Sequence, residues 1–558
     1  MKKLLLAAAL AAPLMASCAT VAPTPPAALS ASSQRLSDHV RVLSSDAFEG
    51  RGPATPGEEK SVTYIVQQMQ AEGLQPGGQI RNGARSWTQD VPLGRFEFSG
   101  PVAVSYAVGG QTRALAQGDD VAIRAAQTNA DRVTIAGAPI VFIGYGVNAP
   151  ERNWDDFKGM DLRGKVALVL VNDPDYETGA GDFGGKAMTY YGRWTYKYEE
   201  AARRGLAGIL VIHESAPASY GWATVKNSNT NAQFDIVRDN PASVHVPMEG
   251  WVQRDVAAEM LKKAGLDFDA LKKQAQSRDF HPVLLTGETF STDFAVNHGV
   301  ITSKNVVGIV PGAARPDETV IYTAHWDHLG VGQPDANGDR IYNGAFDNAT
   351  GLASLLELGR LFAASPRPAR SVVFLAVTAE EKGLLGSEYY AANPLYPLAT
   401  TVADINMDGM SVWGRSHDMF APGSSGVTLQ DELAAQLQAS GRAFSPDPQP
   451  EAGMFYRSDH FSLAKRGVPA ISVKAGIDLV NGGTTAGRAA LDDYIAHRYH
   501  QPDDEWSPTW DLSGQVEDIG LLWRWGEDLA NSSRWPGWHD GSEFKAIRDA
   551  SAAARNGG

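Results

Sequence analysis

Three short apolar runs, each closing on an acidic or imidazole side chain, set the strongest constraint on how this chain folds. VIYTA leads to His325, VVFLAVTA to Glu380 and VADINM to Asp408. Runs this rich in Val and Ile, with no polar alternation, mark strands buried on both faces. GLASLLELGRLFAA after Asp347 and KGLLGSEYYAANP after Glu381 carry the helical period instead. Strands alternating with helices predict an α/β fold built on a mixed, mostly parallel sheet flanked by helices. In such sheets ligands gather beyond the carboxyl ends of the strands. The polar groups just named all fall there.

The segments HWDHLG, NGAFDNATG, TAEEKGLLGSEYY, INMDGM and RYHQPDDE supply His325, Asp347, Glu381, Asp408 and His500. Imidazole and carboxylate are ligands that zinc favours, and a catalytic zinc keeps one position for water. Five such groups can serve two zinc ions if one carboxylate bridges. Asp347, in a Gly-flanked loop ahead of a helix, is the expected bridge. One ion then takes His325 and Asp408, the other Glu381 and His500. Asp327 is suited to accept the free imidazole N–H of His325 with its carboxylate and so fix the tautomer. Glu380 points away from its neighbour and is free to take a proton from the bridging water. A lone HxD or EE pair means little, but their joint occurrence at strand ends points to hydrolysis at a metal pair. His328, His417, His460 and His497 read as structural or surface groups, with His460, in YRSDHF, a lining residue of the substrate pocket at most. PDANGD imitates the start of a calcium loop, but Phe346 stands where that loop needs Glu, so it reads as a turn.

These segments, with LSDHVRVLSSDAFEGRGPATPGEEKSVTYI, SKNVVGIVPG, SDHFSLAKRGVPAISV and YHQPDDEW in order, resemble the co-catalytic zinc aminopeptidases of metallopeptidase family 28. The resemblance implies a zinc exopeptidase fold, the ligand division given above, Glu380 as base and a role for Tyr499 in stabilising the tetrahedral intermediate. It also implies a cis peptide bond between Asp347 and Asn348. A stretch including GYGVNAPERNWDDFKGMDLRGKVALVL resembles a protease-associated domain, a β-rich insert of many family members. The expected division is therefore a catalytic domain at 34–127 and 283–535, interrupted by an insert at 128–282. Trp194, Tyr196 and Tyr198 in the insert are expected to be packing residues.

The remaining sequence bounds the setting. The 558 residues, 43% of them apolar, suffice for more than one packed core. A net charge of −15 without basic clusters after Lys3 excludes a nucleic-acid-binding chain. MKKLLLAAALAAPLMASC reads as an export signal over residues 1–18, too short to span a membrane. Cys18, the only cysteine, follows Met15, Ala16 and Ser17 in a lipoprotein-like box, and lipidation there is the only membrane contact expected. The address is then periplasmic or outer-membrane-anchored, with plain secretion as the alternative. Residues 19–33 read as a flexible linker and 536–558 as an exposed tail. Peptides are the expected substrates, and an aminopeptidase is the leading activity. A carboxypeptidase or N-acyl amino acid amidohydrolase, with Arg457 holding a carboxylate, and a glutaminyl cyclase are the alternatives.

Overall fold

The computed structural model describes residues 29–555 apart from 333, 336, 424 and 425. The expected signal and Cys18 thus lie outside the described residues. Arg370–Val377 is buried at all 8 positions, as a strand covered on both faces must be. It runs parallel to Arg315–His325, which is parallel to Thr401–Met407 and, through it, to Ala470–Ala475. On its other edge Arg370–Val377 pairs antiparallel with the end of Val283–Val310, which in turn carries Thr88–Phe98 antiparallel. The sheet is therefore mixed with a parallel centre.

The period of two sorts the side chains by face. Val320, Tyr322, Val372 and Phe374 meet Leu36, Leu352, Leu355, Leu522 and Trp525 of the helices Ser33–Leu43, Thr350–Ala364 and Ser513–Asn531. Ile321, Val373 and Leu375 meet Tyr390 and Leu463 on the opposite face. Each fully buried large apolar side chain contributes about 1.5–3 kcal/mol. Helix Ser513–Asn531 lies close because residue 526 is glycine: a Cβ there would stand 1.8 Å from the Tyr322 hydroxyl, which donates to the Leu522 carbonyl at 2.7 Å.

Both expected loose ends are docked where they are described. Leu29 and Ala31 pack against the main core, so the linker's last residues are not free. In the segment read as a tail, Trp538 and Phe544 are 5% and 3% exposed, and Trp538 Nε1 donates to the Gly467 carbonyl at 3.1 Å. Buried Arg548 donates to the Thr401 carbonyl at 3.0 Å. The partners lie 71 and 147 residues away, beyond the reach of local pattern reading.

The insert forms a second sheet in which Arg132–Phe142, Val166–Leu170, Gly208–His213 and Met248–Gln253 are parallel neighbours. Tyr196 and Tyr198 on helix Trp194–Arg203 are buried in its cores, and Trp194 packs half-buried against one of them. Its hydrogen bonds do not follow cuts at 127/128 and 282/283. Ala103–Val108 and Val121–Ile123 join this second sheet, while Gln233–Ile236 pairs with Thr88–Phe98 of the catalytic sheet. Val283–Val310 belongs to both: residues 283–295 pair with Arg132–Phe142, and 296–306 with Thr88–Phe98. A shift in composition marks where sequence character changes, and strand pairing crosses it freely.

Candidate metal centre

His325 ends the strand Arg315–His325, and its side chain is 1% exposed. Its Nδ1 lies 3.1 Å from the Asp327 backbone carbonyl, which can only accept, so this nitrogen carries the proton. Its Nε2 then presents a lone pair, 3.2 Å from Asp347 Oδ1 and 3.5 Å from Asp408 Oδ1. That nitrogen makes no hydrogen bond. Facing two carboxylates, that nitrogen calls for positive charge between them, a second proton or a metal ion. Four ligands about 2.1 Å from a tetrahedral ion stand about 3.4 Å from one another, so these separations fit zinc.

Asp347 turns its second oxygen elsewhere: Oδ2 is 3.3 Å from His500 Nε2, which is 3.1 Å from Glu381 Oε2. Asp347 therefore faces both imidazoles with different oxygens, the arrangement expected of a bridge. His325, Asp347 and Asp408 form one group able to hold a metal ion, and His328, Asp347 and Glu381 a second, with Asp347 common to both. His328, read from the sequence as a structural or surface group, is fully buried with Nδ1 2.7 Å from Glu381 Oε1. That is too short for an ion to lie between, so His328 orients Glu381, and His500 Nε2 is the imidazole nitrogen that faces both Asp347 and Glu381 at ion-bridging separations.

The loops are held from below. The Asp347–Asn348 peptide bond is cis, as the resemblance implied. Asn348 donates to the Met407 carbonyl at 3.0 Å and accepts from the Gly409 N–H at 3.0 Å, tying the Asp347 loop to the Asp408 loop. The Asp504 carboxylate accepts the N–H groups of Phe346 and Asp347 at 2.9 and 3.0 Å. Gly344, at φ +57°, leaves room for the Asp347 carbonyl and the His328 ring, which a Cβ would meet at 2.3 and 2.5 Å. Fully buried Arg51 donates to the carbonyls of Leu43, Trp326, Asn343 and Gly344 at 2.6–2.8 Å, clamping the loops around His325 and Asp347. Asp408 Oδ2 accepts from the Ser458 hydroxyl at 2.7 Å, and Lys474 Nζ lies 3.6 Å away.

Asp327 departs from expectation. Its backbone carbonyl, not its carboxylate, receives the His325 N–H; the carboxylate stands 3.8 Å from Nδ1 and accepts the Glu380 and Glu381 N–H groups at 3.1 and 3.4 Å. The turn after Ala379, at φ 52°, brings those N–H groups over it. Glu380 is half-buried, and burial raises its carboxyl well above the usual range, with Glu381 adding to the rise and His325 opposing it. Tyr499 stacks on His500 with ring centres 3.9 Å apart. His460 is fully buried against Phe455, with ring centres 4.6 Å apart, and lines no open pocket. Burial pushes it down to about 3. His497 pairs with Asp493 on the surface.

A parallel-centred α/β sheet bearing a cluster of two imidazoles and several carboxylates at its strand ends defines a class, that of metal-dependent hydrolase folds. Residues 305–523 match Peptidase family M28. The mouse aminopeptidase NAALADL1 is 33% identical over 153 residues, which are 23% of this chain and 19% of that protein. A probable zinc metalloprotease of Pyricularia oryzae is 31% identical over 159 residues, 27% of this chain and 31% of that one. The chain thus spans about a fifth to a third of the length of these curated relatives. Among solved structures, an aminopeptidase from Aneurinibacillus sp. strain AM-1 superposes with a TM-score of 0.50 at 18% identity, covering 91% of this chain and 96% of that one. That likeness carries the fold.

Proposed function

We propose that the protein is a two-zinc exopeptidase that removes N-terminal residues from peptides outside the cytoplasm. The observation that carries this reading is the His325 Nε2 lone pair, buried between Asp347 and Asp408 with no hydrogen bond. His325 and Asp408 would hold one ion, Glu381 and His500 the other, and Asp347 both. When bound, the ions supply Lewis acidity, lowering the pKa of water and polarising the scissile carbonyl. Glu380 takes the proton of the attacking water and returns it to the departing amine. Tyr499, fixed against His500, is placed to donate to the oxyanion. Asp327 holds the Glu380–Glu381 turn through two N–H groups, and Asp504 holds Asp347 in the same way.

The relatives include proteins named for aminopeptidase activity and one, in Caenorhabditis briggsae, named as a glutamate carboxypeptidase 2 homolog, 24% identical over 307 residues that are 49% of this chain and 37% of that one. The test is mass spectrometry of free-amine, N-acetylated and N-terminal-Gln peptides after incubation with zinc-loaded enzyme. Loss of single residues from free N-termini alone supports the aminopeptidase. Trimming of blocked peptides from the C-terminus moves the activity to a carboxypeptidase, and loss of ammonia to a cyclase. The export signal and Cys18 lipidation belong to the same proposal; a lipid label that marks Cys18→Ala as strongly as wild type rejects the anchor.

A further inference from the structure

We propose that the segment following helix Ser513–Asn531 supports the metal centre: Glu543 holds Tyr456, and through it the turn whose Ser458 orients Asp408. Glu543 and Tyr456 are then positioning residues for the ion on the His325–Asp408 side. The inference rests on the two-ion reading and deepens it with a stretch beyond residues 305–523, the part that matches Peptidase family M28.

The contacts run in series. Ser458 is 3% exposed, and its Oγ accepts from Asn406 Nδ2 at 2.7 Å while donating to Asp408 Oδ2 at 2.7 Å. With one proton to give and an N–H already received, that hydroxyl has a fixed direction and holds the carboxylate in place. Two residues earlier the Tyr456 hydroxyl donates to Glu543 Oε1 at 3.1 Å, across 87 residues of sequence, and makes no other hydrogen bond among the described residues. Phe455 and Phe461, which flank this stretch, pack against Phe544 with ring centres 6.2 and 6.3 Å away. Phe544 packs in turn on Trp538 at 4.9 Å.

The rest of the segment is fastened to elements that also lead to Asp408. Trp538 Nε1 donates to the Gly467 carbonyl, just before strand Ala470–Ala475, whose Lys474 lies 3.6 Å from Asp408 Oδ2. Arg548 donates to the carbonyl of Thr401, the first residue of the strand that delivers Asp408. The segment seats closely because residue 467 is glycine at φ +84°: a Cβ there would stand 2.7 Å from the Arg548 backbone nitrogen. Glu381 and His500 take their support from Asp327, His328 and Tyr499 instead. The two halves of the metal centre thus rest on different parts of the chain, and loosening the segment acts first on the Asp408 ion. Groups that orient a ligand typically contribute about 10–100-fold to metal affinity.

The experiment is calorimetric titration of the metal-free full chain with zinc, for wild type, Tyr456→Phe, Glu543→Met, Glu543→Gln and Asp408→Ala. Wild type is expected to bind two ions, and the step that Asp408→Ala abolishes identifies the one in question. Tyr456→Phe and Glu543→Met should weaken that step by about 10-fold, the low end of the range for groups behind a ligand, and leave the other step as it is. Glu543→Gln, whose amide oxygen still accepts from the Tyr456 hydroxyl, should bind as wild type does, a rescue that a general loss of stability would not give. Unchanged affinities in both variants, equal weakening of both ions, or a loss that Glu543→Gln does not restore overturns the support. Melting curves monitor folding; should Glu543→Met not fold, Tyr456→Phe, which keeps every carbon atom, carries the test alone. If wild type binds fewer than two ions, the two-ion reading fails by itself. Hydrogen exchange then decides the support: faster exchange across residues 454–461 in Tyr456→Phe but not in Glu543→Gln upholds it, and unchanged exchange rejects it.

Discussion

Lys197 in the insert and His325 in the metal centre are both cut off from water, yet their surroundings balance charge in opposite ways. The Lys197 ammonium donates to the carbonyls of Tyr145, Asn172 and Tyr191, with Asp156 and Asp173 near enough for their charges to offset the burial that pushes it down to about 7. Both oxygens of Asp156 accept, from the Val147 N–H and Trp154 Nε1, and Asp173 Oδ2 accepts the Thr189 N–H and hydroxyl, leaving only Asp173 Oδ1 of the two carboxylates without a partner. Burial still raises each to about 7. Around His325, Asp347, Glu380, Glu381 and Asp408 converge on imidazoles that need not be charged, with Lys474 alone reaching Asp408. A closed set of donors and acceptors fastens a fold. A surplus of one sign leaves work for something that binds.

Metal removal is expected to break this comparison most completely. Dialysis against a chelator should abolish turnover and lower the melting temperature, and zinc should restore both, with calorimetry counting two ions; a chain indifferent to the chelator would mean that the carboxylate surplus is internally compensated. Glu380→Gln comes next: turnover should fall by about 10²–10⁴-fold, the range for an acid–base group, while elemental analysis finds the zinc content unchanged. Full activity in that variant would remove the base. Lys197→Met tests the other cluster. Breaking a buried charged network costs about 3–5 kcal/mol, so denaturant midpoints should drop sharply while zinc binding persists.

The smallest effect lies in the pH dependence of the insert's edge. His245 contacts Glu249 and Asp235 at 3.0 Å each, and although burial opposes it, these carboxylates raise its pKa to about 9. A histidine whose folded pKa lies above its unfolded value of about 6.5 contributes stability that is complete below that pH. The contribution is lost as pH rises through about 9. Chemical unfolding across that window should show a decline that His245→Gln flattens; parallel curves would dismiss the contribution.

His325, Glu381 and Asp408 were legible because each lies at or just past the end of a Val- and Ile-rich run, a purely local signal. Asp347, ahead of a helix, and His500, behind one, end no such run and were read from the segments NGAFDNATG and RYHQPDDE. What local signals could not supply was direction and distance. Nothing in HWDH tells a carbonyl of Asp327 from its carboxylate, or shows that His328 turns onto Glu381. Arg51 reaches carbonyls 275–293 residues away, and Asp504 holds N–H groups more than 150 residues earlier. The one available hint was position: Arg51 sits in an EGRG turn at φ 51°, and Asp504 in PDDE close behind His500. The docking of Trp538 and Arg548 depends on partners equally remote. The mixed sheet was readable; the allocation of strands between its two halves was not, because Val283–Val310 is one continuous strand that changes partner at 295/296 with no turn to mark it.

That continuous strand has a practical corollary. Because its first half is a rib of one sheet and its second half a rib of the other, a cut at 127/128 and 282/283 does not part the two sheets. Excising residues 128–282 would leave 283–295 paired with Ala103–Val108 alone, its other edge stripped of Arg132–Phe142 and open as a template for aggregation. A clean separation has to fall after Phe98 and before Val296, where the register passes from one partner to the next. It must also provide for Gln233–Ile236, which leaves with the excised part.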